Sequence, residues 1–213
     1  MKRVIPILLV LHSIAFAQTP CDEFSSGYRQ ISWDFTPAET VSHLTDKGYR
    51  LFEKYEYEIN DGRTADRYHF KYNDYDHYKS DRDFFEYIIK FINNEMISIQ
   101  YLNHFNWNYN YRMAKNSAMK IAEKYDLPQK NEQKLSFGMT NEVWFHDCPK
   151  YRVLLQLLWN PNVVYDNYPS GEVTRYIEMW IFNVEKEEEY HRIVQINRNE
   201  KRQSNEDDIL NRF

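Results

Sequence analysis

Residues 51–72 read LFEKYEYEINDGRTADRYHFKY, and their period is two. Such alternation marks a half-buried strand rather than a helix. Leu51, Tyr55, Tyr57 and Ile59 fall on one side, interrupted by Glu53, with Phe52, Lys54, Glu56 and Glu58 opposite. In the returning segment Tyr68, Phe70 and Tyr72 oppose Arg67, His69 and Lys71. Between the two, Asn60-Asp61-Gly62-Arg63 supplies residues that tolerate positive φ, as a tight hairpin turn requires. The stretch is an antiparallel hairpin, and the rest of the chain is read outward from it.

Upstream lies a helix signal. Thr36 caps, Pro37 takes the first helical position, and Glu39 completes a capping box. Val41 and Leu44 form its buried stripe, and Gly48 ends it. Downstream, Phe84–Ile92 and Met96–Leu102 are two more strands turning at Asn93-Asn94-Glu95. A second helix follows, because Trp107, Tyr111, Ala114, Ala118, Ile121, Ala122 and Tyr125 recur at steps of three and four. Leu127-Pro128 stops it. Strands are then expected over Leu135–Met139, Glu142–His146, Tyr151–Trp159 and Thr174–Asn183, with Asp147-Cys148-Pro149-Lys150 as a hairpin turn.

The expected fold class is α+β, with helices packed on one face of a mostly antiparallel sheet of about eight strands. Helix-then-strands occurs twice, so two tandem units over 31–103 and 104–184 are expected within a single domain spanning 18–196. In an exported chain with an aromatic sheet face, this order of elements across about residues 36–183 resembles the bacterial β-lactamase-inhibitory proteins and the small outer-membrane-assembly lipoproteins. The resemblance lies in the order of elements alone and carries no residue role. Residues 197–213 are charged and are expected to form a flexible tail.

Residues 1–17 have the form of a signal peptide. Lys2 and Arg3 precede an apolar run, and Ala15-Phe16-Ala17 places small residues where a signal peptidase reads them. Cleavage after Ala17 removes two positive charges and takes the formal charge from −5 to −7. Export, to a secreted or periplasmic location, is the expected address, with no membrane span after cleavage. An acidic chain with scattered basic residues has no electrostatic reason to seek nucleic acid. Five glycines leave little material for phosphate loops, and no cofactor is expected. Two cysteines in an exported chain favour a Cys21–Cys148 disulfide.

Catalytic signals are weak. Asp74, Asp76, Asp81 and Asp83 with His77 fail an EF-hand pattern at its fifth, sixth and twelfth positions, so no metal is expected. No nucleophile elbow occurs, and the histidines lack zinc-motif spacing. Glu53, Glu86, Glu142 and Glu178 lie on expected strands, and Glu178 shares a face with Tyr176, Trp180 and Phe182. The expected orientation is outward, with Glu178 solvated among exposed aromatics; buried, with a raised pKa, it would be a site candidate.

The stronger signal is aromatic. Tyr101 to Tyr111 interleaves rings with asparagines, and Tyr165-Asp166-Asn167-Tyr168-Pro169 does so again. Rings beside amides suit a protein, peptide or carbohydrate ligand. The candidate binding residues are Tyr101, Phe105, Trp107, Tyr109, Tyr165, Tyr168 and Trp180, with no catalytic residue assigned. The expected function is a non-catalytic binding module using an aromatic sheet face. The alternatives are a carbohydrate-active hydrolase with paired carboxylates and a structural envelope component. A cleft holding two carboxylates with perturbed pKa values would favour the enzyme.

Overall fold

The structure, a computed structural model, describes residues 20–72, 84–104, 111–134, 140–159 and 176–210. Its elements run α1 (Pro20–Glu23), β1 (Gly27–Tyr28), β2 (Ile31–Ser32), α2 (Pro37–Asp46), β3 (Tyr49–Glu58), β4 (Thr64–Tyr72), β5 (Phe84–Ile92), β6 (Glu95–His104), α3 (Tyr111–Lys124), β7 (Gln129–Lys134), β8 (Thr140–Asp147), β9 (Arg152–Trp159), β10 (Tyr176–Phe182) and α4 (Val184–Leu210). β3 to β10 form one eight-stranded sheet in the order β3-β4-β5-β6-β10-β9-β8-β7, antiparallel at every pairing. Each half is a meander preceded by a helix, and the two meanders meet at β6 and β10.

Local chemistry explains the boundaries. The Thr36 hydroxyl accepts from the Glu39 amide while the Glu39 carboxylate accepts from the Thr36 amide, so both orphan donors at the start of α2 are satisfied. Gly48, at φ 88°, leaves the helix in the left-handed region. The β5–β6 turn uses Asn93 and Asn94 at φ 49° and 67°, a conformation that asparagine tolerates better than most residues. On β3 the expected alternation breaks. A bulge between Leu51 and Glu53 flips the register, so Leu51 pairs with Phe70 while Glu53, Tyr55 and Tyr57 align with His69, Arg67 and Ala65.

The first sheet face carries the main core. Tyr68, Phe70, Tyr87, Ile89, Phe91, Ile99, Tyr101, Leu155, Leu157, Met179 and Ile181 pack beneath Ala114, Ala118 and Ala122 of α3 and beneath Leu44 of α2. Alanines at steps of four let α3 approach the sheet closely. Phe24, Tyr28 and Ile31 of the N-terminal strap complete this layer. The strap is tethered by the Cys21–Cys148 disulfide, with Cα atoms 5.4 Å apart, and by the Tyr151 hydroxyl donating to the Cys21 carbonyl. An ion pair at 2.9 Å between half-buried Lys115 and buried Glu142 joins α3 to β8 within this layer.

Helices do not share one face. Tyr190, Ile193 and Val194 of α4 pack with Ile59, Ala65, Ile92 and Ile97 as a second core. Ala65 alternates with Asp66 and Tyr68 along β4, which places it on the opposite face of the sheet. There α4 lies against β3, β4, β5 and β6. Its apolar stripe is short and bounded by Glu187 and Asn197, which is why the segment reads as polar in sequence. Glu187 pairs with buried Lys90, and the Asn197 amide donates to the Glu58 carbonyl at 2.5 Å. Residues 197–210, part of the segment expected as a flexible charged tail, are helical and continue α4.

β7 spans Gln129–Lys134, and the strand expected over Leu135–Met139 lies outside the described residues. β7 is a wholly polar edge strand, invisible to a search for apolar alternation. Among the described residues no helix is long and apolar enough to cross a membrane.

Candidate functional site on the second sheet face

Register determines which side chains meet on the face that α4 partly covers. One row runs Lys71, Glu86, Leu102, Glu178, Gln156, Val143 across β4, β5, β6, β10, β9 and β8. The next row runs His69, Ile88, Gln100, Trp180, Leu154, Phe145. Neighbouring strands are about 4.8 Å apart, so each row is a nearly flat line of side chains.

Glu178 sits at the centre, 2% exposed. Gln100 Nε2 donates to its Oε1 and Gln156 Nε2 donates to its Oε2. Burial pushes the Glu178 carboxyl up, and the two amide bonds and the charge of Lys90 counter this only in part. The expectation that Glu178 is solvated among exposed rings is overturned. The residues around it differ in exposure: Trp180, Tyr176, Leu154, Leu158 and Phe145 are half-buried. The Trp180 indole is fixed by donation from Nε1 to Ser98 Oγ at 2.7 Å and lies 4.2 Å, centroid to centroid, from Phe182.

A second polar group lies on β4, β5 and β6. Glu86 Oε2 is 2.9 Å from His69 Nε2 and 3.6 Å from His104 Nε2, while Lys71 Nζ is 3.5 Å from Oε1. Burial alone would raise the Glu86 carboxyl, but bonding and charge from His104 and His69 outweigh it and hold the group well below the usual carboxylate range. His69, which in sequence reads as a surface or structural residue, is a buried structural partner of Glu86.

Glu86 and Glu178 have opposite shifts, the pattern that separates a base from an acid. They are nonetheless two strand spacings apart, roughly 10 Å, with buried Leu102 between them. Both oxygens of Glu178 are occupied by glutamine amides. The arrangement holds charge inside the sheet rather than presenting it to a substrate.

The aromatic candidates divide sharply. Tyr101 is on the other face, 6% exposed, in the main core, where the Arg29 guanidinium stacks 3.9 Å from its ring centroid. It forms part of a cluster with Tyr28, Tyr49 and Tyr87. Burial pushes Tyr28 up to about 12 despite the neighbouring Arg29. Trp180 lies on the second face. Phe105, Trp107, Tyr109, Tyr165 and Tyr168, like the Asp74–Asp83 acidic cluster, lie outside the described residues.

Among the described residues, Cys21, His146 and Cys148 are three possible metal donors within 4.8 Å of one another. Both sulfurs are committed to the disulfide, so they offer no thiolate. That bond is consistent with an oxidising compartment. Compared with known proteins, the chain matches no family model, no curated protein and no solved structure.

The central features of this face were hidden in the sequence because they depend on register. The Glu178–Gln156 pairing sets one glutamine opposite Glu178, and the Gln100–Trp180 pairing sets the other diagonally beside it. The one available signal was the carboxylate at the centre of the alternating aromatic strand Tyr176–Phe182.

Proposed function

We propose that this chain is an exported, non-catalytic binding module whose protein partner sits on the second sheet face, over β6, β10, β9 and β8. The observation that carries this reading is the row of half-buried Trp180, Leu154 and Phe145, flanked by Tyr176 and Leu158, on β10, β9 and β8, which extends beyond the α4 contacts on β3 to β6. Four strands make a platform about 14 Å wide. That is the shape of a protein contact rather than of an enclosed small-molecule cleft. Trp and Tyr are the residue types that concentrate binding energy at such surfaces. The Gln100–Glu178–Gln156 track beneath keeps its rings in fixed register.

The organisation we infer is two tandem helix-then-strands units whose fourth strands pair. Its support is the mirrored strand order on either side of the β6–β10 seam. A hydrolase is less well supported, since Glu178 is sealed and fully bonded.

The test is reconstitution. A partner captured from the native envelope should form a stoichiometric complex with the purified chain. Leu154→Arg, a change at a half-buried position on the platform, should weaken that complex at least tenfold without lowering the melting temperature appreciably. A complex indifferent to Leu154→Arg would place the partner elsewhere and overturn the assignment.

A further inference from the structure

A pocket of about 580 Å³ lies at the end of the sheet where the β5–β6 turn, the β8–β9 turn and the β10–α4 junction meet the N-terminal strap. That volume is within the roughly 300–1,000 Å³ of small-molecule sites. We propose that this pocket binds a short neutral oligosaccharide, stacked on Trp33 and Tyr151 and hydrogen-bonded by the amides of the Asn93-Asn94 turn.

The aromatic wall is preorganised. Trp33 Nε1 donates to the Phe24 carbonyl at 2.8 Å, and the Tyr151 hydroxyl donates to the Cys21 carbonyl. Their polar edges are thus spent inside the protein, and what remains for a ligand is apolar ring surface. The two ring centroids are 6.1 Å apart with a 30° interplanar angle, so together with nearby Phe35 they make a shelf. The C–H faces of a pyranose complement such a shelf. Because the disulfide ties the strap to the β8–β9 turn, the shelf is held before any ligand arrives.

The other side of the pocket is polar. Asn93 Oδ1 accepts from the Thr64 amide at 2.9 Å, which fixes that side chain. Asn94 is exposed on the same turn and lines the pocket. An amide donates and accepts at once, as a row of sugar hydroxyls requires. Formal charge argues against an anionic ligand. Lys186 is paired with Glu95, and Lys150 on the rim is balanced by Asp34. With no net charge, the pocket has no basis for selecting a phosphate or a carboxylate over a neutral ligand.

The experiment is a titration of the purified protein with cellotriose, maltotriose and N-acetylated chitotriose in turn. It is followed by the indole N–H signals in two-dimensional NMR, with Trp33 and Trp180 assigned by Trp→Phe replacement. At least one trisaccharide should shift the Trp33 signal saturably at millimolar concentration or below, leaving Trp180 unmoved. Asn94→Gly keeps the left-handed turn while deleting the amide, and it should weaken binding about tenfold. If no trisaccharide moves Trp33, or if Trp180 responds instead, the assignment fails. Binding unaffected by Asn94→Gly would overturn the hydrogen-bonding wall.

Discussion

Glu178 and Glu86 lie in the same sheet row and have opposite relations to pH. Glu178 has a raised pKa in the fold, so its neutral form is favoured there; its stability contribution is complete at low pH and is lost as pH rises through the folded pKa. Glu178→Gln should therefore raise the melting temperature, and the gain should grow from pH 4 to pH 8. Either flanking glutamine amide can turn to meet the new side chain. Glu86 is the reverse case, with a lowered folded pKa, so its contribution is complete above the ordinary carboxylate range and is lost progressively as pH falls from there to the lowered folded pKa. Glu86→Gln should cost about 3 kcal/mol at pH 7, because it strips the partner from buried His69 and Lys71. That cost should shrink toward pH 3. Urea unfolding of both variants across pH checks the two signs together, and parallel pH profiles would contradict the assignment of opposite shifts.

At the scale of elements, α4 is the part whose reading changed most. The buried side chains among its described residues run as far as Asn197, and residues 201–204 are exposed although helical. Truncation after Glu200 should leave the melting temperature within about 2 °C, whereas Ile193→Ala should cost about 2–4 kcal/mol by opening a cavity in the second core. Thermal melts of the two variants would decide it, and a large loss on truncation would show that the last turns are docked. The contrast also explains what could be read beforehand. α2 was legible because Thr36, Pro37 and Glu39 are a local signal, and the first hairpin because Asp61-Gly62 is one. α4 was not, since its stripe is built from Tyr190, Ile193, Val194 and two polar residues whose partners, Lys90 and Glu58, are far away in sequence. β7 escaped for a related reason. An edge strand with Gln, Lys, Asn and Glu side chains has no apolar period to detect, and that same polarity discourages pairing with a further strand.

For the molecule as a whole, the disulfide is the strongest single constraint. It closes 127 residues and holds the strap over the main core. The chain-entropy contribution of so long a loop approaches about 5 kcal/mol. Reduction should therefore shift urea unfolding to markedly lower denaturant, and non-reducing peptide mapping should recover Cys21 joined to Cys148. Two alkylatable thiols in the native protein would refute the bond. The pairing was legible because a chain with two cysteines has a single intramolecular option. The candidate site was legible only at Trp180. Tyr101 follows the same alternation of large rings, yet a strand sequence alone does not say which face a helix will cover.

The seam between β6 and β10 has a consequence for time rather than for shape. Trp180 reaches Ser98 across 82 residues, and every bond of that seam joins segments comparably distant in the chain. β10 comes last in chain order among the described strands, so the first meander must keep its β6 edge unpaired with β10 until synthesis has reached residue 182. Contacts of such separation form slowly, because loop closure precedes any reward. The rate-limiting step of folding should accordingly be the arrival of β10, and the interval before it is when this chain is most open to association with copies of itself.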